Sequence, residues 1–123
     1  MDNQPVIMIV HPDTTITSEV EKILGVSVIK ARDGEEALFK HREHKPRVII
    51  TDLNLPRMSG YRLMTEIRES NGSPSPAYII VTDKHSSRQL EWIMKFGSSE
   101  RDYFPRGINP ERLRERIDYH LSR

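Results

Sequence analysis

The 123-residue chain has no cysteine, which excludes a disulfide framework or thiolate metal site and suits a cytoplasmic setting. It also lacks any apolar run near the roughly eighteen residues needed to span a bilayer. The first residues, MDNQPV, have neither the basic start nor the apolar stretch of a secretory signal. A cytoplasmic protein with no membrane partner is therefore expected. Charge of one sign is not in excess either: 19 Lys and Arg stand against 18 Asp and Glu, a net of +1. That balance gives no general reason to expect direct nucleic-acid binding. Arg112, Arg114, Arg116 and Arg123 alternate with Glu111, Glu115 and Asp118 and read as a solvated helix face. With no repeat, linker or low-complexity tract in sight, residues 1–123 read as a single domain, long enough to bury most of one core.

What the chain does have is alternation. Short apolar runs, VIMIV (6–10), VSVI (26–29), VIIT (48–51), YIIVT (78–82) and DYF (102–104), are separated by helical patterns. Several of these runs are continuous in apolarity, as strands covered on both faces are. Ile16, Val20, Ile23 and Leu24 form one helix stripe ending before Gly25. Asp33 reads as a cap before an acidic turn, Ser59 as a cap before Leu63, Met64 and Ile67, and Asn109-Pro110 as cap and first residue of the last helix. A fourth helix is expected from about Ser87 to Phe96, closed by Gly97. Five β-α units of this length imply parallel strands and right-handed crossovers. Two topologies fit: a flavodoxin-like sheet in the order 2-1-3-4-5, or half of a Rossmann fold.

In such sheets the functional crevice lies at the carboxyl ends of the strands, where the winding reverses. His11-Pro12-Asp13 leaves the first strand, Thr51-Asp52 ends the third, Thr82-Asp83 ends the fourth, and Pro105-Arg106-Gly107 follows the fifth. A carboxylate, a hydroxyl, a cation and an imidazole on one edge could handle a phosphoryl group. Singly, each has a plainer reading: Asp52 as a turn former, Thr82 as a strand residue, Arg106 as a solvated cation, His11 as a hydrogen-bonded strand end, Asp13 as a helix cap. Ser18 and Glu21 offer a later start for that helix.

The segment VIITDLNLPRMSGYRLMTEIR, 48–68, closely resembles the phosphoacceptor region of response-regulator receiver domains, with Asp52, Pro56, Met58 and Gly60 at the family's spacing. ARDGEEAL, YIIVT and FGSSERDYFPR extend the likeness over nearly the whole chain. The resemblance implies that Asp52 accepts a phosphoryl group from a histidine kinase. It also implies that Thr82 and Tyr103 form the switch, that Asn54 offers its carbonyl to Mg²⁺, and that output runs through protein contacts on the helix 4–strand 5–helix 5 face. Trp92 on the fourth helix is either part of that face or part of the core.

Departures from the family fall on the chemistry. The acidic pair that holds Mg²⁺ is replaced by His11-Pro12, the lysine after the fifth strand by Arg106, and the proline after that by Gly107. Mg²⁺ prefers oxygen ligands in octahedral geometry, so it is expected to bind weakly, through Asp52 with Asp13 and Asn54 as the remaining contributors. Arg106 keeps a charge partner for phosphate but with a larger, planar donor. The expectation is an atypical receiver domain acting by protein–protein interaction rather than as an enzyme, with Asp52 a working or vestigial phosphoacceptor. An alternative is a phosphate-handling enzyme using Asp52 as nucleophile, although position 54 carries no second carboxylate and no P-loop is present. A nucleic-acid binder working through the last helix is weaker still.

Overall fold

The computed structural model describes residues 7–70, 75–82, 87–105 and 107–122. Its strands are β1 (Ile7–Val10), β2 (Ile29–Ala31), β3 (Val48–Thr51), β4 (Ala77–Thr82) and β5 (Tyr103–Pro105). The helices are α1 (Thr14–Leu24), α2 (Gly34–His44), α3 (Gly60–Glu69), α4 (Ser87–Met94) and α5 (Pro110–Leu121). All pairings are parallel and the strand order is 2-1-3-4-5. Of the two topologies the sequence allowed, the flavodoxin-like one holds.

Helix starts follow from the caps. The side chains of Asp13, Asp33, Ser59 and Asn109 accept from the backbone N–H of Thr15, Glu36, Arg62 and Arg112, satisfying donors the first turn leaves open. Asp13, not Ser18, therefore begins α1, and Gly25 closes that helix in the left-handed conformation, φ 67°.

Because strand side chains alternate between faces, a strand buried on both sides must be apolar throughout. Met8, Val10, Ile49 and Ile80 point into a core layer with Leu63, Met64 and Ile93. Ile7, Ile9, Ile50 and Val81 point into a second layer with Val20, Leu113 and Ile117. Trp92 is half-buried against the first layer, 4.2 Å from the Tyr61 ring and 4.5 Å from Phe96.

Four boundaries differ from the sequence reading, the smallest at β4, which starts at Ala77 rather than Tyr78. β2 lies at 29–31 rather than 26–29, because pairing with β1 aligns Met8 with Ile29 and Val10 with Ala31, leaving Val26 exposed. β5 starts at Tyr103, since Asp102 completes a short 3-10 turn, Glu100–Asp102. α4 ends at Met94, two residues early, in turns that lead to Gly97.

The expected solvated face of arginines holds for the exposed Arg114 but not for Arg112 and Arg116, and Arg123 lies outside the described residues. Arg116 is buried, its Nε 2.8 Å from Oδ1 of the fully buried Asp102, an oxygen that His120 Nε2 also approaches to 2.8 Å. Asp102 Oδ2 accepts the Ser99 N–H at 3.0 Å. Arg112 donates to the carbonyls of Tyr103 (2.6 Å) and Arg101 (3.1 Å), with its guanidinium over the Phe104 ring. At the opposite margin, Lys40 Nζ donates to the Lys30 carbonyl of β2 at 2.7 Å, and Lys30 pairs with Glu21.

Candidate functional site

The strand order places the carboxyl ends of β1 and β3 side by side. The ladder extends one residue beyond each strand: His11 N–H donates to the Ala31 carbonyl at 3.0 Å and Asp52 N–H to that of Val10 at 3.3 Å. Both side chains are thus presented from fixed backbone at the point where the winding reverses. His11 Nε2 lies 3.5 Å from Asp52 Oδ2, and each side chain is only 13% exposed.

The other ring nitrogen fixes the tautomer. His11 Nδ1 accepts the Asp13 backbone N–H at 3.0 Å, so a neutral ring carries its hydrogen on Nε2, facing the carboxylate. The second carboxylate oxygen, Oδ1, accepts the Asn54 N–H at 3.0 Å. Asn54 Nδ2 reaches Thr82 Oγ1 at 3.5 Å, joining the ends of β3 and β4. Thr82 is buried, and Tyr103 lies behind the edge at 6% exposure. Burial pushes the Tyr103 phenol up, and neighbouring Tyr61 and the Asp52 charge add to that.

The loop after Asp52 is shaped by close packing. Gly60 N–H donates to the Leu53 carbonyl at 3.0 Å, and a Cβ at Gly60 would sit 2.7 Å from the Asp52 carbonyl oxygen. Arg57 holds a left-handed φ of 67°, and its guanidinium approaches Asp33 at 3.7 Å and Glu35 at 3.4 Å. That acidic pairing and the Asn54 side-chain link were not foreseen. Both depend on loop conformation rather than on spacing.

Of the residues singled out in the sequence, His11, Asp52, Asn54 and Thr82 come together, and Tyr103 stands behind them. Pro12 is exposed and offers no donor atom. Asp13 Oδ1 accepts the Thr15 N–H as the cap of α1. Arg106 lies outside the described residues. Among the described residues the set does not fit Mg²⁺: one carboxylate faces the edge, beside an imidazole, where a hard cation asks for several oxygens. Among the described residues, no group of three or more His, Asp or Glu gathers as a metal site.

Comparison with known proteins agrees with this architecture. The profile of the response regulator receiver domain matches residues 7–118. A probable transcriptional regulator, ycf27, of Porphyridium aerugineum is 28% identical over 120 residues, covering 95% of this chain and 48% of the relative. The chain thus spans about half the length of that relative. Protein PilH of Pseudomonas aeruginosa is 28% identical over 107 residues, covering 87% of this chain and 86% of PilH. Among solved structures, a CheY-like receiver domain protein from Methanospirillum hungatei superposes with a TM-score of 0.83. It is 27% identical, with 98% of this chain and 95% of that one covered.

Proposed function

Since the chain belongs to the response regulator receiver domain family, we propose that it is an atypical receiver that signals through protein contacts without Mg²⁺-dependent phosphorylation of Asp52. One observation carries this reading: Asp52 faces His11 Nε2 at 3.5 Å, where the family has its acidic pair. Both carboxylate oxygens are engaged, Oδ2 by His11 and Oδ1 by the Asn54 N–H.

Phosphoryl transfer draws most of its acceleration from positioning and from neutralising charge on the transferred group. The Nε2–H of His11 is a single donor; it cannot bridge Asp52 and a phosphoryl oxygen as a divalent cation does. Asp52 therefore keeps the place of the phosphoacceptor without the partner that would make it efficient. Asn54 and Thr82 form the rest of the pocket rim, with Tyr103 packed inward as the aromatic member of the switch.

Output is assigned to the face made by α4, β5 and α5, with a histidine kinase or a downstream target as partner. There Met94 and Tyr119 are 47% and 45% exposed and flank a shallow cavity of about 500 Å³ with Arg101 and Glu100. The enzyme reading receives less support: position 54 presents its amide, not a second carboxylate, to Asp52.

The test is acetyl phosphate or beryllofluoride with Mg²⁺ or Mn²⁺, followed by intact mass and by Trp92 fluorescence. Trp92 contacts Tyr61, and both rings pack against the core layer that contains Tyr103, so a rearrangement of Tyr103 would be felt at the indole. The expected result is no stoichiometric adduct. A full adduct that disappears in Asp52→Asn would overturn the phosphate-independent reading.

A further inference from the structure

The last turn of α2 is closed by a titratable side chain. Gly34, Ala37, Leu38 and His41 form the buried stripe of that helix. At 5% exposure, His41 holds a place that an aliphatic residue would fill. Its Nδ1 has no hydrogen-bond partner, an uncommon and costly state for a buried polar atom. The ring borders a cavity of about 630 Å³ at the amino ends of β3 and β4, the edge opposite Asp52.

The groups around the ring offer a cation no partner. Lys45 and Arg42 act on it from α2 itself. Across the cavity stand Arg47, from the loop before β3, and His120 of α5, whose Nε2 already lies against Asp102 beside Arg116. Arg68 of α3 lies over the Phe96 ring, which borders the same cavity. Tyr78 of β4, whose ring meets Phe96, is a phenol that burial keeps protonated. Ser75, Pro76, Ala77 and Gly97 bring no charge, and among the described residues no carboxylate lines the cavity. Burial first, then Lys45 and Arg42, lower the His41 pKa, so the ring is neutral in the closed helix near neutral pH. An imidazolium there would be a desolvated cation with no acid beside it.

The backbone next to this side chain is poised to give way. Lys45 caps α2 in the left-handed conformation, φ 47° and ψ 60°, and its N–H donates to the His41 carbonyl at 2.8 Å. A residue with a Cβ disfavours that conformation, and a residue before a proline, here Pro46, prefers an extended backbone. Unwinding the last turn would relieve Lys45 and carry the imidazole into water.

We propose that His41 is an acid-operated latch: protonation of its ring releases the last turn of α2, with Lys45 as the hinge. Release would widen the cavity over Pro46, Pro76 and Phe96. The open turn takes up the proton near the ordinary histidine value of about 6.5, the closed turn only at lower pH. Closure is therefore complete above about pH 6.5 and weakens as pH falls. This input is separate from Asp52 and does not depend on whether that residue is phosphorylated.

Amide hydrogen exchange of the isotope-labelled 123-residue chain, read by NMR and corrected for intrinsic rates, tests the latch. From about pH 7.5 to about pH 5.5, opening at the His44 and Lys45 amides should rise about three- to tenfold, with the His41 ring titrating over the same interval. Amides of Val20 in α1 and Ile50 in β3 should change less than about twofold. His41→Met should abolish the rise. Lys45→Glu places a carboxylate beside the ring, so the protonated latch can stay shut and the rise should drop below about twofold; thermal melts check the folding of both variants. No rise in the unaltered chain, an equal rise in His41→Met, or an undiminished rise in Lys45→Glu would overturn the assignment.

Discussion

Removing the carboxylate of Asp102 should be among the most damaging single changes to this protein. The side chain is fully buried and receives three charge-assisted or backbone hydrogen bonds: Arg116 Nε at 2.8 Å, His120 Nε2 at 2.8 Å and Ser99 N–H at 3.0 Å. Asp102→Ala leaves the Arg116 guanidinium, itself only 7% exposed, without its counter-charge. Breaking one side of a buried pair costs about 3–5 kcal/mol. That is a large part of the roughly 5–15 kcal/mol that a domain commands. The melting temperature should fall by roughly 10–20 °C. The double variant Asp102→Ala/Arg116→Met removes the stranded charge as well and should recover most of the loss, because apolar replacement of a buried pair is often neutral. Burial alone would raise the Asp102 pKa, but Arg116, the Ser99 N–H and His120 together outweigh it and hold the carboxyl below the usual range. The unfolded chain therefore binds this proton more readily than the native one. The corresponding stability is present above about pH 4 and lost as pH falls further, through the depressed native value. Urea melts of the three proteins across pH 3–7, an interval set around that range, provide the assay. A loss below about 1 kcal/mol, or a double variant no more stable than the single one, would refute the reasoning.

Other outcomes can be checked alongside. Gly60→Ala should cost about 1–3 kcal/mol and displace the Asp52 loop, because the new Cβ meets backbone at 2.7 Å; chemical denaturation and the amide shifts of 52–54 would register both. For His41, burial first and then Lys45 and Arg42 lower the pKa, so the unfolded state takes the proton first. Stability from this residue should be complete above about pH 6.5 and decline on acidification; in His41→Met the slope of melting temperature against pH between 5 and 6.5 should flatten. Restoring the acidic pair with His11→Asp/Pro12→Asp should raise Mg²⁺ affinity by at least about tenfold, as measured by calorimetric titration, with Asp52→Asn removing the gain.

The succession of strands and helices and most helix starts were legible because they rest on local signals, whereas the choice between the two sheet topologies waited on strand pairing. Apolar runs marked β1, β3 and β4, while Asp33, Ser59 and Asn109-Pro110 marked helix starts whose capping bonds are all present. β2 was misplaced because VSVI is apolar but unpaired over its first residues; the register with β1 decides, and register is a property of two strands. The convergence of His11, Asp52 and Thr82 could be read from topology alone. The contact of His11 with Asp52, and the diversion of Asp13 to its cap, could not, since both depend on how the chain turns after Val10. Arg116 was the largest misreading. Leu113, Arg116, Ile117 and His120 recur at helical spacing on the packed stripe, a pattern that would have placed the arginine inside. Its justification, Asp102, lies 14 residues away in sequence.

A parallel sheet with two open margins is an invitation to pair with any stray extended segment. Here each margin is plugged from the side by a long basic residue of a helix: Lys40 seals the carbonyl of Lys30, and Arg112 those of Arg101 and Tyr103. Growth by adding a sixth strand would first have to dislodge these plugs. Association of this molecule is thereby steered away from backbone zippering and toward side-chain recognition between helical surfaces, where assembly can be reversed without unravelling a ladder.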